Sequence, residues 1–166
     1  MTVFCGSEHV TVDYLYSALE GDNDLSIDYQ IHPAHNLVLA RFRGEVSTED
    51  HIVAFLEYTR NPGFKAHQHA LVDLSECTLE ESYFKDMQRL AYRLKTYYAV
   101  RAPSSRTSVY APGDVVFGMS RMYQSIAEGT SPWEMGVFRT KVDSLEFLGI
   151  APGSCEAHGF LAIWSD

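Results

Sequence analysis

The chain has 166 residues, 46% of them hydrophobic and 21% charged, which is ordinary globular material and long enough for one domain burying roughly 70% of its unfolded surface. Its 22 acidic against 13 basic side chains give a net charge of −9, which repels phosphate backbones and anionic lipid surfaces and argues against a nucleic-acid partner. No apolar run approaches the roughly 20 residues of a membrane span, so no membrane insertion is expected.

The start, Met1 to Gly6, lacks the basic stretch and apolar core of a signal peptide, and the expectation is a cytoplasmic protein. Cys5, Cys77 and Cys155 are widely spaced and in no C-x-x-C pattern, so they read as reduced thiols rather than a disulfide or zinc framework.

Residues 1–26 read as an N-terminal extension. Val10, Val12, Tyr14 and Tyr16 alternate as an edge strand would, before Gly21-Asp22-Asn23-Asp24 breaks the chain. Ile27, Tyr29 and Ile31 alternate with Asp28 and Gln30, the pattern of a half-buried strand. His32 to Asn36 turns the chain, and Leu37 to Arg43 returns antiparallel to the first strand. Ser47-Thr48-Glu49-Asp50 opens a helix in capping-box style, with a buried stripe of Ile52, Phe55, Leu56 and Thr59, and Asn61-Pro62-Gly63 stops it.

Ala70-Leu71-Val72 is a short β-forming run followed by Asp73-Leu74-Ser75, which predicts a central strand with both Leu71 and Val72 buried. Met87, Leu90, Ala91 and Leu94, extended by Tyr97 and Tyr98, predict a long helix over 82–98. Arg106 to Tyr110 reads as a strand. A third helix follows Pro112-Gly113-Asp114 with Val115, Met119, Met122 and Ile126 on one face and Asp114 as its N-cap. Met135 to Arg139 is a further strand, and Val142 to Leu148 a short helix ending at Gly149.

The repeated βα units predict an α/β fold: a single domain over 27–150 with a mixed, mostly parallel five-stranded sheet and four helices, followed by a tail over 151–166. Arg41, Arg43 and Arg139 alternate with apolar positions, which suggests one polar sheet face and helices on the other only. The apolar patch Phe160 to Trp164 would then cover a sheet edge or a neighbouring subunit, hence a possible homodimer.

Element order and particular phrases together resemble the STAS-like family, founded on the sporulation anti-sigma-factor antagonist (SpoIIAA-like), in its uncharacterised branch. The phrases are Gly44 before the capped helix, "NPGF" at 61–64, "ALVDLS" at 70–75, "FGMSRMYQ" at 117–124 and "VFRT" at 137–140. The resemblance spans Ile27 to Gly149. In the antagonist the central strand leads to an Asp-Ser-Ser-Gly turn whose second serine is phosphorylated. Here that turn falls on Glu81-Ser82-Tyr83-Phe84, with Tyr83 at the phosphorylated position, which implies that the phosphoswitch is absent.

The resemblance implies a non-enzymatic regulatory or protein-interaction module with no cofactor and an unknown protein partner, its surface built on Asp73, Ser75, Glu80, Glu81, Ser82 and Tyr83. The alternative is a carrier or sensor of a small apolar or amphipathic ligand held between helices, with Phe117, Met119, Met122 and Tyr97 as pocket residues. No Gly-x-Ser-x-Gly elbow accompanies Ser75, so Asp73 reads as orienting its turn and Ser75 as bonding local backbone. His32, His35, His67 and His69 lack the helical spacing of a metal motif and read as exposed loop histidines.

Overall fold

Strand β3, His69–Cys77, is the axis of the sheet. It pairs in parallel with β2, Leu37–Gly44, on one side and β4, Arg106–Tyr110, on the other. β1, Ile27–His32, runs antiparallel to β2, and β5, Glu134–Phe138, lies parallel to β4, so the strand order is β1-β2-β3-β4-β5. This mixed, mostly parallel five-stranded sheet is the α/β class expected. The computed structural model describes residues 26–78 and 87–165. The edge strand anticipated at Val10 to Tyr16, the first turn of the 82–98 helix, and Glu80, Glu81, Ser82 and Tyr83 lie outside the described residues.

Local chemistry sets the junctions. A 3-10 turn, Pro33–His35, joins β1 to β2 and closes on Asn36, whose φ of 50° is the left-handed conformation that asparagine tolerates better than most residues. Helix α1, Thr48–Arg60, starts with the expected box: the Asp50 amide donates to Ser47 Oγ at 3.1 Å and the Ser47 amide donates to Asp50 Oδ2 at 2.9 Å. Helix α2 is Met87–Tyr98 and α3 is Asp114–Ala127. The N-cap of α3 is Gly113 rather than Asp114, which occupies the first turn and pairs with Arg139 at 2.8 Å. Its inward stripe is Val116, Met119, Ser120 and Ala127, whereas Val115 is 58% exposed.

Because the strand order never reverses and βαβ crossovers are right-handed, α1, α2 and α3 fall on one face of the sheet. The opposite face is covered by the chain beyond β5. Helix α4, Lys141–Phe147, is capped by Thr140 and ends at Gly149, whose φ is +88°. Helix α5 is Cys155–Ser165. Leu145, Leu148 and Ile150 join Ala157, Phe160 and Trp164 in a closed core on Leu37, Leu39 and Leu71.

Among the described residues the tail therefore adds a fifth α-helix to the four expected, and its apolar patch seals the sheet of its own chain rather than an edge. The arginines did not mark a bare face. Arg41 Nη2 donates to the Ile163 carbonyl of α5 at 3.1 Å, and Arg43 pairs with Asp28 and Glu76. Long arginine stems lie along apolar surface while their heads tie elements together at its rim.

One irregularity in β3 matters for the site. Arg41 pairs with Asp73 but Arg43 with Glu76, so β3 carries one extra residue there, a β-bulge. Asp73 Oδ1 accepts from the Ser75 amide at 2.9 Å and closes it. Before the bulge the even-numbered residues Ala70 and Val72 face α1–α3. Beyond it the alternation is reset, and Cys77 joins that same face.

Candidate functional site

Beneath α1–α3 the sheet presents small or modest side chains at its centre, Ala40, Ala70 and Val72, while the helices are held off by rings. Phe55 and Tyr98 meet edge to face at 4.7 Å, Tyr98 meets Trp133 at 5.5 Å, and Tyr29 meets Tyr58 at 5.7 Å. Between them is a cavity of about 220 Å³. Its lining runs from Val46, Cys77 and Met87 near the carboxyl ends of the parallel strands to Tyr58, Arg101, Ser131 and Trp133 near their amino ends. The cavity explains why Leu71 is fully buried but Val72 only half-buried, contrary to the expectation for both: Val72 borders the cavity and Leu71 the closed core.

The placement also differs from the usual open α/β arrangement. There, ligands sit beyond the carboxyl ends of the strands where the strand order reverses. With no reversal in this sheet there is no such crevice, and the available space lies between the layers.

The lining is mostly apolar, with a few polar groups whose burial sets their charge. His51 is driven down to about 4 by burial and is neutral at pH 7, its Nε2 bonded to the Tyr98 hydroxyl. Burial raises Tyr98 well above its ordinary value, and pushes Tyr58 and Tyr123 to about 12 and Cys77 to about 11. The Tyr58 hydroxyl donates to Gln68 Oε1 at 2.8 Å. None of these displaced groups titrates near neutrality, where a general acid or base works best. Among the described residues of the lining Arg101 is the charged one: burial lowers its pKa from the usual value, but a guanidinium remains protonated.

Of the pocket residues anticipated from sequence, Met119 lines the cavity; Phe117, Met122 and Tyr97 do not. Helical phase is the reason. Met119, Ser120, Tyr123 and Ala127 share the inward face of α3, while Phe117 lies under the Arg139 guanidinium at 4.1 Å. One residue along α2, Tyr98 points inward in place of Tyr97. Sequence reasoning missed His51, Tyr58, Arg101 and Trp133. His51, Ala54, Phe55 and Tyr58 carry a visible i, i+3, i+4, i+7 signal, but Arg101 and Trp133 sit in connections without a period.

Asp73 is buried on the opposite face. Its Oδ1 takes the Ser75 amide, as anticipated for an orienting residue, and its Oδ2 accepts from Trp164 Nε1 at 2.6 Å. Ser75 is exposed. Of the loop histidines only His67 is exposed. His32 and His35 are half-buried edge-on against Phe160, and His69 Nδ1 accepts from the Arg106 amide at 3.0 Å. Among the described residues no three His, Cys, Asp or Glu side chains gather as a metal set.

No protein-family model matches the chain, and no curated protein matches it. Among solved structures it is similar to an uncharacterized protein of the DUF3478 family with a SpoIIAA-like fold from Shewanella loihica PV-4. The identity is 19% and the TM-score 0.47, over 77% of this chain and 98% of that one.

Proposed function

We propose that this domain is a non-enzymatic carrier or sensor that holds one small, slender apolar or amphipathic molecule between its sheet and helices α1–α3. The observation that carries the reading is the cavity of about 220 Å³ with its largely apolar lining. The pocket is partly open to solvent, so its apolar walls face water until a guest covers them, at ~25 cal/mol per Å² of apolar surface removed. A guest that binds only the folded state stabilises it, so binding and folding are coupled. The volume lies below the roughly 300–1,000 Å³ of drug-sized sites, which favours a single chain or small ring.

The rival reading, a protein-interaction module, has less support. Of its two described surface residues, Asp73 is buried with both oxygens engaged and only Ser75 is exposed. The displaced titrations of His51, Tyr58, Tyr98, Tyr123 and Cys77 support a binding role over acid–base chemistry.

Methionine methyl resonances provide the test, with n-alkanols from hexanol to dodecanol as probes. Met87, Met119 and Met135 line the cavity and should shift on saturable one-to-one binding, while Met122 lies outside the lining and serves as the internal control. Failure of every alkanol to shift the three lining methyls or raise the melting temperature would remove the reading.

A further inference from the structure

Resting on that reading, we infer that the guest carries a single negative charge, a carboxylate, and that Arg101 receives it at the amino-end wall of the cavity.

Arg101 follows α2 and is 7% exposed, yet it belongs to the cavity lining. Its Nη1 donates to Thr107 Oγ1 at 2.6 Å, and Nη2 donates to the carbonyls of Gln68 and Arg106, both at 3.3 Å. Its guanidinium lies over the Trp133 ring, 4.9 Å from the centroid. Every one of these partners is neutral. Among the described residues no carboxylate pairs with it. Of the ionisable groups that feel its charge, Tyr58 and Tyr98 are held protonated by burial, and burial with the nearby arginines lowers His69, so none of the three supplies a negative charge.

Among the described residues a full positive charge is therefore buried without a counter-charge, which is among the least favourable arrangements in a protein interior. The two donors of a neutral side-chain amide could tie the same two carbonyls together without that cost, so holding the loop does not account for the guanidinium. Three of its five N–H groups are engaged, and two remain for a guest. Most of the rest of the wall is apolar, with Ala40, Val72 and Met119 as a bed for a chain, and its other polar groups, such as His51, Ser120 and Ser131, carry no charge at pH 7. A slender body with one anionic end matches both the shape and the charge.

The experiment compares decanoate, decanol, decylamine and decyl phosphate on the intact protein, by calorimetry and by the Met119 and Met135 methyl shifts. The expected result is decanoate binding at least tenfold tighter than decanol, with decylamine weakest, the size of effect usual for a charge-assisted hydrogen bond. Arg101→Met should abolish the preference while decanol still binds, and Arg101→Lys should keep part of it. The comparison on the unsubstituted protein stands even where Arg101→Met fails to fold. Equal binding of decanoate and decanol in the cavity would overturn the anionic guest and leave the carrier reading intact. Tighter binding of decyl phosphate than of decanoate would overturn the carboxylate, and binding of none of the four would remove both.

Discussion

Replacing Ala54 by leucine separates a binding cavity from a close-packed core by the sign of a single measurement. Ala54 lies in α1, half-buried on the cavity side, packed against the cluster of Ile27, Phe42, Val46 and Cys77. Leucine adds three carbons, worth about 2.4 kcal/mol at ~0.8 kcal/mol per buried group, less about 0.5–1 kcal/mol of lost rotamer freedom. Helix propensity is nearly unchanged by this exchange. The expected gain is about 1.5 kcal/mol, a rise in melting temperature of roughly 3–6 °C. In a close-packed interior the same exchange would instead cost about 1–3 kcal/mol through overpacking. Binding moves the other way, because the leucine occupies space for about three methylenes of guest, and decanol affinity should fall roughly fiftyfold. Urea unfolding and calorimetry on Ala54→Leu read both quantities. A variant that is less stable than the parent, or more stable with unaltered decanol affinity, would refute the reasoning.

Three further outcomes are expected. The His51 pKa of about 4 lies below its ordinary 6.5, so the unfolded chain binds the proton more readily; the stability this residue contributes is complete above pH 6.5 and is lost as pH falls towards 4. That loss amounts to at most about 3 kcal/mol, and urea melts of His51→Gln should show a shallower decline over this window than the parent does. Leu71→Ala should cost about 3 kcal/mol and Val72→Ala about 1, since Leu71 is sealed in the closed core and Val72 already borders open volume; equal losses in denaturant titrations would contradict the two-sided description of β3. Trp164→Phe removes the donor to Asp73 Oδ2 and should destabilise by about 1–3 kcal/mol. In combination with Asp73→Leu the loss should be less than additive, and strict additivity in the double-mutant cycle would show that the contact contributes nothing.

The sheet and α1–α4 are readable in the sequence because their signals are local. Ser47 and Asp50 sit three apart at a helix start, Ala70-Leu71-Val72 precedes Asp73, and Gly149 follows the last turn of α4. Helix α5 is less legible. Ala157, Phe160 and Trp164 keep the i, i+3, i+7 spacing of a buried stripe, but Gly159 interrupts it and the neighbouring Leu161, Ala162 and Ile163 blur its phase. The cavity is less legible still. A period tells which side chains share a face, not how far two faces stand apart, and here the spacing depends on ring contacts between α1, α2 and the Trp133 connection. Arg101 lies outside any periodic element, and the lack of a counter-charge beside it among the described residues is a three-dimensional fact.

The bulge at Asp73 has a consequence for how the domain would tolerate substitution. Along β2 and the first half of β3 odd-numbered residues such as Leu37, Leu39 and Leu71 belong to the sealed core, and even-numbered ones such as Ala40, Ala70 and Val72 to the cavity wall. In a saturation scan scored for cellular abundance, tolerance should therefore rise and fall from one residue to the next, odd positions strict and even positions lenient. At the bulge the beat should slip by one residue, so that Cys77 scores with the even positions before it. A scan scored instead for ligand retention should show the opposite beat. On one strand, neighbouring codons would answer to different selections, and drift at the lenient positions could change the guest while the fold stays the same.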